Sequence, residues 1–309
     1  MNTNQPTKYL IVVLGATASG KTALAIDLAN HYGGAILSSD SRQFFKEMSI
    51  GTAKPTPEEL AAAPHHFVDS LSIHQDYTIG AFERDGLAFL EQYYQQKNTA
   101  ILAGGAGMYI KAICQGLDDF PKVDKAIRVA LNEQLETVGI TSLQQELQQL
   151  DPVYYEKVDQ QNPQRLIRAL EICRGTGQPF SYFQAQNTAR TRPFEVIKIG
   201  IDWERSALYD RINRRVDLML EQGLLAEAKA LYPYRTLNAL QTVGYQEFFD
   251  YFDGNITLDK AIELVKRNSR RYAKRQLTWF RKDTNIIWVK PKTPLAKVVE
   301  AIELQKTKC

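Results

Sequence analysis

One stretch constrains this chain more than any other: an apolar run that ends in a glycine-rich loop and enters a helix. Tyr9 to Leu14 is apolar and reads as a buried strand. It passes into Gly15-Ala16-Thr17-Ala18-Ser19-Gly20-Lys21-Thr22, which fits the pattern Gly, four residues, Gly-Lys-Ser/Thr. Ala23 to Tyr32 then has helical character. Strand, loop and helix in this order are the context that a phosphate-binding P-loop requires. The backbone N–H groups of such a loop converge with a helix N-terminus and favour a polyanion. Lys21 reaches an outer phosphate, and the Thr22 hydroxyl is placed to ligate Mg²⁺. The loop alone does not specify which phosphate compound it holds.

The neighbouring segments extend the pattern. Ala35 to Ser38 reads as a second strand that leads into Ser39-Asp40-Ser41-Arg42-Gln43. An acid at the carboxyl end of a strand beside the P-loop strand lies where open α/β sheets bind ligands. Ile50 to Pro55 is loop-like, and His65 to Leu71 predicts another strand. Ile79 to Gln96 predicts a helix, with Phe82, Leu87, Leu90 and Tyr94 near helical spacing. Ala100 to Ala103 predicts a buried strand that ends in Gly104-Gly105-Ala106-Gly107, with a helix following through Ile113. Alternating strands and helices imply a parallel sheet.

From about Gly116 the character changes. Val123 to Leu150 is rich in Gln, Glu and Leu and has no strand signal. Asp151-Pro152 punctuates it, and Asn162 caps a helix from Pro163 to Gly175. Glu195 to Ile201 returns as a strand. Helices follow over Ser206–Gln222, Leu224–Leu231 and Leu258 to about Phe280, with Ile286–Val289 as a final edge strand. The expected architecture is α/β: a P-loop NTPase-like parallel sheet flanked by helices, formed by residues 8–116 and 191–309, with a helical insertion domain over 117–190.

Composition narrows the class. With 309 residues, 44% hydrophobic and 24% charged, the chain is expected to be soluble and globular. The three cysteines, Cys114, Cys173 and Cys309, are far apart and odd in number, which argues against a disulfide framework and for a reducing cytoplasm. The four histidines show no metal-site spacing. The polar stretch Met1 to Lys8 predicts no signal peptide, and no run approaches the ~20 apolar residues of a membrane span.

Net charge is only +3, but its distribution is uneven. Lys266 to Lys282 holds eight basic residues and no acid, with Tyr272, Trp279 and Phe280 interleaved. Arg267, Arg270, Arg271, Lys274, Thr278 and Arg281 fall three or four apart and share a helical face. Such a run is either a solvated face or a nucleic-acid footprint, and eight like charges favour the second. Asp40 reads equally as a general base or hydrogen-bond acceptor for a second substrate and as a helix N-cap or an outer partner of the Mg²⁺ site. Arg211, Arg214 and Arg215 are placed either for surface ion pairs with Asp210 or Asp217 or to neutralise a leaving pyrophosphate. Arg165 and Arg168 could clamp phosphates or be solvated.

Taken together, these residues resemble the tRNA dimethylallyltransferase family, in its bacterial form. The motifs are the P-loop, Ser39-Asp40-Ser41-Arg42-Gln43, Ile50 to Pro55, His65 to Asp69, and Gly104-Gly105 with Tyr109. They continue with Asn162 to Arg165, Arg168 to Glu171, Tyr209 to Asp217, Val243-Gly244-Tyr245 and Tyr272 to Arg281. The resemblance implies transfer of a dimethylallyl group from its diphosphate to the exocyclic amine of adenosine at tRNA position 37, with Mg²⁺. It implies that Asp40 accepts the amine proton, and that Thr17 and Arg215 contact the diphosphate. The donor diphosphate would lie on Gly15, Ala16, Thr17, Ala18, Ser19, Gly20, Lys21 and Thr22. The anticodon stem-loop would lie on Asp40, Ser41, Arg42, Gln43 and Ala106, and on Arg128, Gln164, Arg165, Leu166, Ile167 and Arg168. It would extend to Gln241, Thr242, Val243, Gly244, Tyr245 and Gln246, and to Lys274, Arg275, Gln276, Thr278, Trp279 and Arg281. The family commonly carries Thr where this chain has Ala106. A soluble, cytoplasmic monomer is expected. The rival expectation is a P-loop kinase acting on a small molecule or nucleotide.

Overall fold

The computed structural model describes residues 6–186 and 190–307. The chain begins β1 (Tyr9–Leu14), α1 (Lys21–Tyr32), β2 (Ile36–Ser38), α2 (Pro57–Ala62), β3 (His65–His66), α3 (Ile79–Tyr93), β4 (Thr99–Gly104) and α4 (Gly107–Gln115). Five helices follow: α5 (Lys125–Val138), α6 (Ile140–Leu150), α7 (Pro152–Tyr155), α8 (Pro163–Thr176) and α9 (Phe180–Gln186). The remainder comprises β5 (Glu195–Ile201), α10 (Arg205–Glu221), α11 (Leu224–Leu231), α12 (Gln246–Phe252), α13 (Leu258–Phe280), β6 (Ile286–Val289) and α14 (Leu295–Lys306).

The six strands form one sheet in the order β3-β2-β4-β1-β5-β6, and every pairing is parallel. β1 lies between β4 and β5, with Leu14 opposite Gly104 on one side and Gly200 on the other. Parallel pairing puts the carboxyl ends of β1, β2, β4 and β5 on one edge. The chain order reverses about β1, so the crevice at its carboxyl end is the switch point where such sheets bind ligands. The P-loop, Ser39-Asp40 and Gly104 to Gly107 all emerge there.

Side-chain alternation along β1 builds a core on each face. Leu10, Val12 and Leu14 pack with Phe82 and Leu90 of α3 and Ile110 and Ile113 of α4. Ile11 and Val13 pack with Ala25 and Leu28 of α1 and Val298 and Ile302 of α14. A sheet covered on both faces explains the unbroken apolar run of β1. A third cluster joins α10 to α13 through Val216, Met219, Leu224, Phe248 and Val265.

The chain divides into two compact units. The first runs to Gln115 and resumes at Arg192, and the second is Gly116–Thr191. Within the first, Arg192 donates to the Ala112 carbonyl at 2.5 Å and pairs with Glu83 at 2.7 Å. The buried core of the second is Leu131, Leu143, Leu147, Leu166, Ile167, Leu170 and their neighbours on α5, α6 and α8. Asn162 caps α8 there by accepting from the Arg165 N–H, as its sequence context predicts.

Several expectations need correction. The strand predicted over His65–Leu71 is only His65–His66, because the backbone turns left-handed at Phe67 and Asp69. Leu71 makes only an isolated bridge with Phe45. The Val123–Leu150 stretch is two helices broken at Gly139. Helices α2, α7, α9, α12 and α14 were not expected from the pattern. Cys114 and Cys173 are buried free thiols, and Cys309 lies outside the described residues. Among the described residues no helix is long and apolar enough to cross a membrane.

Candidate active site

The P-loop leaves β1 at Gly15 and reaches α1 through backbone that departs from right-handed geometry at Ala18 (φ 62°) and Gly20 (φ 92°). A left-handed alanine is strained, and such strain persists where surrounding contacts over-determine it. Those contacts are present on every side. The Trp203 indole N–H donates to the Ser19 carbonyl at 2.9 Å. Arg211 donates to the Ala18 carbonyl at 3.0 Å and lies 4.5 Å over the Trp203 ring. Lys21 Nζ folds back to the Ala16 carbonyl at 2.7 Å. Gly20 precedes α1 with no side-chain cap, so the first turn keeps the N–H groups that helix geometry leaves without partners. That is an anion site in the physical sense.

Two cavities meet at the loop. The first is lined by Thr17, Lys21, Thr22, Ser38, Asp40, Gln43, Thr52, Arg215, Tyr272 and Gln276, with Ala25, Ile36, Ala53, Pro55 and Ala103 supplying apolar wall. The second is lined by Thr17, Ala18, Asp40, Ser41, Arg42, Arg215, Gln241 to Gly244, Gln246, Tyr272 and Arg275. Thr17, Asp40, Thr52, Arg215 and Tyr272 belong to both. A ligand in either cavity therefore faces the same small group of side chains.

At that junction Arg215 Nη1 donates to the Thr17 hydroxyl at 3.1 Å. Burial pushes the Lys21 ammonium down to about 8, with the Arg215 charge adding to the fall and Asp40 opposing it. Burial also lowers Arg215, again opposed by Asp40. Two cations are thus held beside one carboxylate, an arrangement that a polyanion completes. Asp40 does not cap a helix. Its Oδ1 accepts the Arg42 N–H at 3.0 Å in a turn that no helix follows. Among the described residues no group of three or more His, Cys, Asp and Glu converges.

The loop across the junction is clamped from outside. One Glu227 oxygen accepts the Ser49 N–H at 3.0 Å and the Ile50 N–H at 2.8 Å; the other accepts the Gly51 N–H at 2.9 Å and the Tyr245 hydroxyl at 2.7 Å. Gln43 donates to the Ala53 carbonyl at 3.0 Å and accepts from Ser38 at 3.1 Å. The clamp has no local sequence signature, since Glu227 and Gly51 are far apart in the chain and adjacent only through folding.

The basic helix α13 is divided by packing. Lys266 pairs with Asp217 at 2.5 Å and Arg270 donates to Asn213 at 2.5 Å, both against α10. Arg271, Lys274, Arg275, Thr278, Trp279 and Lys282 line a shallow surface depression. Tyr272 and Trp279 stay 37% and 41% exposed. Arg281 leans on Asp202 at 3.2 Å. The face expected from spacing is therefore corrected: Arg270 is spent within the fold, and the open face is Arg271, Lys274, Arg275, Thr278 and Lys282.

Other expected RNA contacts are also corrected for their side chains. Tyr245, Leu166 and Ile167 are fully buried and belong to cores. Gln276 is buried on the P-loop rather than displayed on the helix surface. In the second unit Arg128 and Arg168 share the Glu171 carboxylate at 3.2 and 3.1 Å, and Arg128 also donates to Gln164 at 3.1 Å. Arg165 is exposed there. Ala106 immediately precedes α4, its carbonyl accepting from the Tyr109 and Ile110 N–H groups of the first turn. His65 Nδ1 lies 2.8 Å from the Ala63 carbonyl, and the His66 ring lies 4.2 Å from that of Phe89.

Comparison with known proteins identifies the group to which this arrangement is similar. A family model described as "IPP transferase" matches residues 43–283. The tRNA dimethylallyltransferase of Christiangramia forsetii is 55% identical over 280 residues, covering 91% of this chain and 92% of that protein. That of Flavobacterium psychrophilum is 49% identical over 300 residues, covering 95% and 97%. The crystal structure of the tRNA isopentenylpyrophosphate transferase from Bacillus halodurans superposes with a TM-score of 0.70 at 36% identity, covering 98% and 96%. A eukaryotic dimethylallyltransferase captured acting on tRNA gives 0.77 at 26% identity, covering 92% of this chain and 74% of that one.

The depressed Lys21 makes anion binding pH-dependent. Below about 8 the ammonium is charged and affinity for inorganic pyrophosphate is set by the full cation pair. As pH rises through that value the free protein loses the charge, and binding requires proton uptake. Dissociation constants from titration calorimetry should weaken by up to about tenfold per pH unit above it, relative to Lys21→Arg, whose charge does not titrate. A ratio that stays constant from neutral to alkaline pH would show that Lys21 does not bear on the anion.

Proposed function

The chain belongs to the IPP transferase family and is a tRNA-prenylating enzyme, and from that premise we propose its chemistry in detail. It transfers a dimethylallyl group from dimethylallyl diphosphate to the exocyclic amine of adenosine at tRNA position 37, releasing pyrophosphate. The observation that carries this reading is the sharing of Thr17, Asp40 and Arg215 between the two cavities. A donor in one cavity and an extruded base in the other would meet over those three side chains. A base within a loop must leave its stack to be reached in this way.

The donor diphosphate lies on the P-loop, with Lys21, the Thr17 hydroxyl and Arg215 on its oxygens. Ala25, Ile36, Ala53, Pro55 and Ala103 offer the apolar wall that a five-carbon group needs. An adenine amine is a weak nucleophile, so its proton must leave as the carbon–nitrogen bond forms. Asp40, at the junction, accepts it. The allylic carbon–oxygen bond breaks in line, and the electron pair departs with pyrophosphate. Lys21 and Arg215, buried and short of negative charge, stabilise the charge that develops on that leaving group.

Mg²⁺ fits the donor set. Thr22 lines the same cavity as Asp40, and both offer the hard oxygen atoms that Mg²⁺ takes. Mg²⁺ commonly keeps waters and substrate phosphate oxygens, so one protein hydroxyl suffices. When bound it would neutralise diphosphate charge. The open face of α13 then meets anticodon-stem phosphates, with Tyr272 and Trp279 available for stacking.

The discriminating experiment supplies labelled dimethylallyl diphosphate, ATP, Mg²⁺ and tRNA together. Mass spectrometry of the nucleosides should find the prenyl label in adenosine, and label from the ATP γ-phosphate in no acceptor. Transfer of that phosphate would instead revive the kinase reading. Asp40→Asn should lower single-turnover rates by about 10²- to 10⁴-fold with tRNA affinity held within a few-fold; an unchanged rate removes Asp40 as base. Arg271→Ala, Lys274→Ala and Arg275→Ala combined should weaken tRNA binding and reduce the slope of log affinity against log salt by about one for each lost phosphate contact. An unaltered slope would take α13 out of the footprint.

A further inference from the structure

Gln276 stands in the middle of the basic helix, between Arg275 and the exposed Thr278 and Trp279, yet it is only 6% exposed. Both ends of its amide are engaged. Its Oε1 accepts the Thr17 N–H at 2.8 Å, and its Nε2 donates to the Gly105 carbonyl at 2.9 Å. A backbone N–H can only donate and a carbonyl can only accept, so the amide has one possible orientation. The approach requires the glycines that follow β4. A Cβ on Gly105 would lie 2.2 Å from Gln276 Nε2, and one on Gly107 would lie 2.3 Å from Trp279 Nε1.

Thr17 is thereby held twice. α13 holds its backbone through Gln276, and α10 holds its side chain through Arg215 at 3.1 Å. The next residue is Ala18, whose left-handed backbone needs such support. If this position only filled space, an apolar side chain of the same length would serve without burying an amide.

We propose that Gln276 is a positioning residue of prenyl transfer: it relays the placement of α13 to the Thr17–Arg215 pair where the two cavities join. This rests on the reading of those cavities given above. RNA lying on Arg271, Lys274 and Arg275 fixes the helix from outside, and the Gln276 amide carries that fixed position to the residue facing the leaving group. Thr17 is the last link, touching donor oxygen through its hydroxyl.

Two variants test this. Gln276→Met keeps the volume and removes both hydrogen bonds. It should lower kcat by about tenfold or more while KM for tRNA stays within about twofold, because the open basic face is untouched. Gln276→Glu replaces the amide nitrogen by an oxygen that can donate to the Gly105 carbonyl only when protonated. The ratio of its kcat to that of the unsubstituted enzyme should rise as pH falls from about 8 to about 6, a burial-raised carboxyl titrating in that window. A purely structural role would leave that ratio flat.

A flat ratio, or kcat within about twofold of the unsubstituted enzyme in both variants, overturns the proposal. Should Gln276→Met fail to fold, the Gln276→Glu series decides alone. The unsubstituted enzyme in the same assay keeps the two readings apart. No prenyl transfer by it would overturn the reading of the cavities, whereas transfer that neither variant impairs would overturn only the role of Gln276.

Discussion

Lys21 and Arg215 repel each other across a crevice whose carboxylate, Asp40, offsets only part of their charge. The fold of the first unit brings them together there. Parallel pairing on both sides of β1 puts four strand ends on one edge, and α10 and α13 bring Arg215 and Gln276 to it. Burial makes the arrangement costly without a ligand, which is visible in the depressed Lys21. The same cost would favour a polyanion over a singly charged ligand, which would leave part of the field uncompensated.

What could be read in advance follows from where the signal is local. The P-loop, the bounds of β1, β5, β6 and α11, and the Asn162 cap depend on neighbouring residues, and each lies where its pattern says. Asp40 and Arg215 were legible as candidates because one follows a strand beside the P-loop and the other joins an arginine cluster. Their meeting over Thr17 was not, since helical spacing says nothing about which arginine of α10 turns inward. The structure answers by sending Arg211 to the loop's outer side and Arg215 to its inner side.

The basic helix shows the same limit more sharply. Spacing places Arg270 with Arg271 and Lys274, but α10 packs against α13 and takes Arg270 out of the open face. Gln276 reads as one more polar residue in a polar run, and only the glycine-bordered end of β4 turns it into a buried contact. Tyr245 shares a motif with residues that line a cavity, yet it is wholly enclosed, its hydroxyl bonded to Glu227. In each case tertiary packing decides which side of a correctly identified element is left open.

Arg192 also bears on how the chain leaves and re-enters the sheet. It bonds the Ala112 carbonyl, near the point where the first unit breaks off, and it stands where that unit resumes. The two ends of the Gly116–Thr191 excursion are therefore stapled at its base. Once a closure is pinned in this way, its entropy grows only with the logarithm of loop length, so doubling the excursion would add only about 0.6 kcal/mol. The sheet can therefore carry an elaborate appendage within the β4–β5 crossover at little thermodynamic cost, without displacing the strand ends that form the crevice.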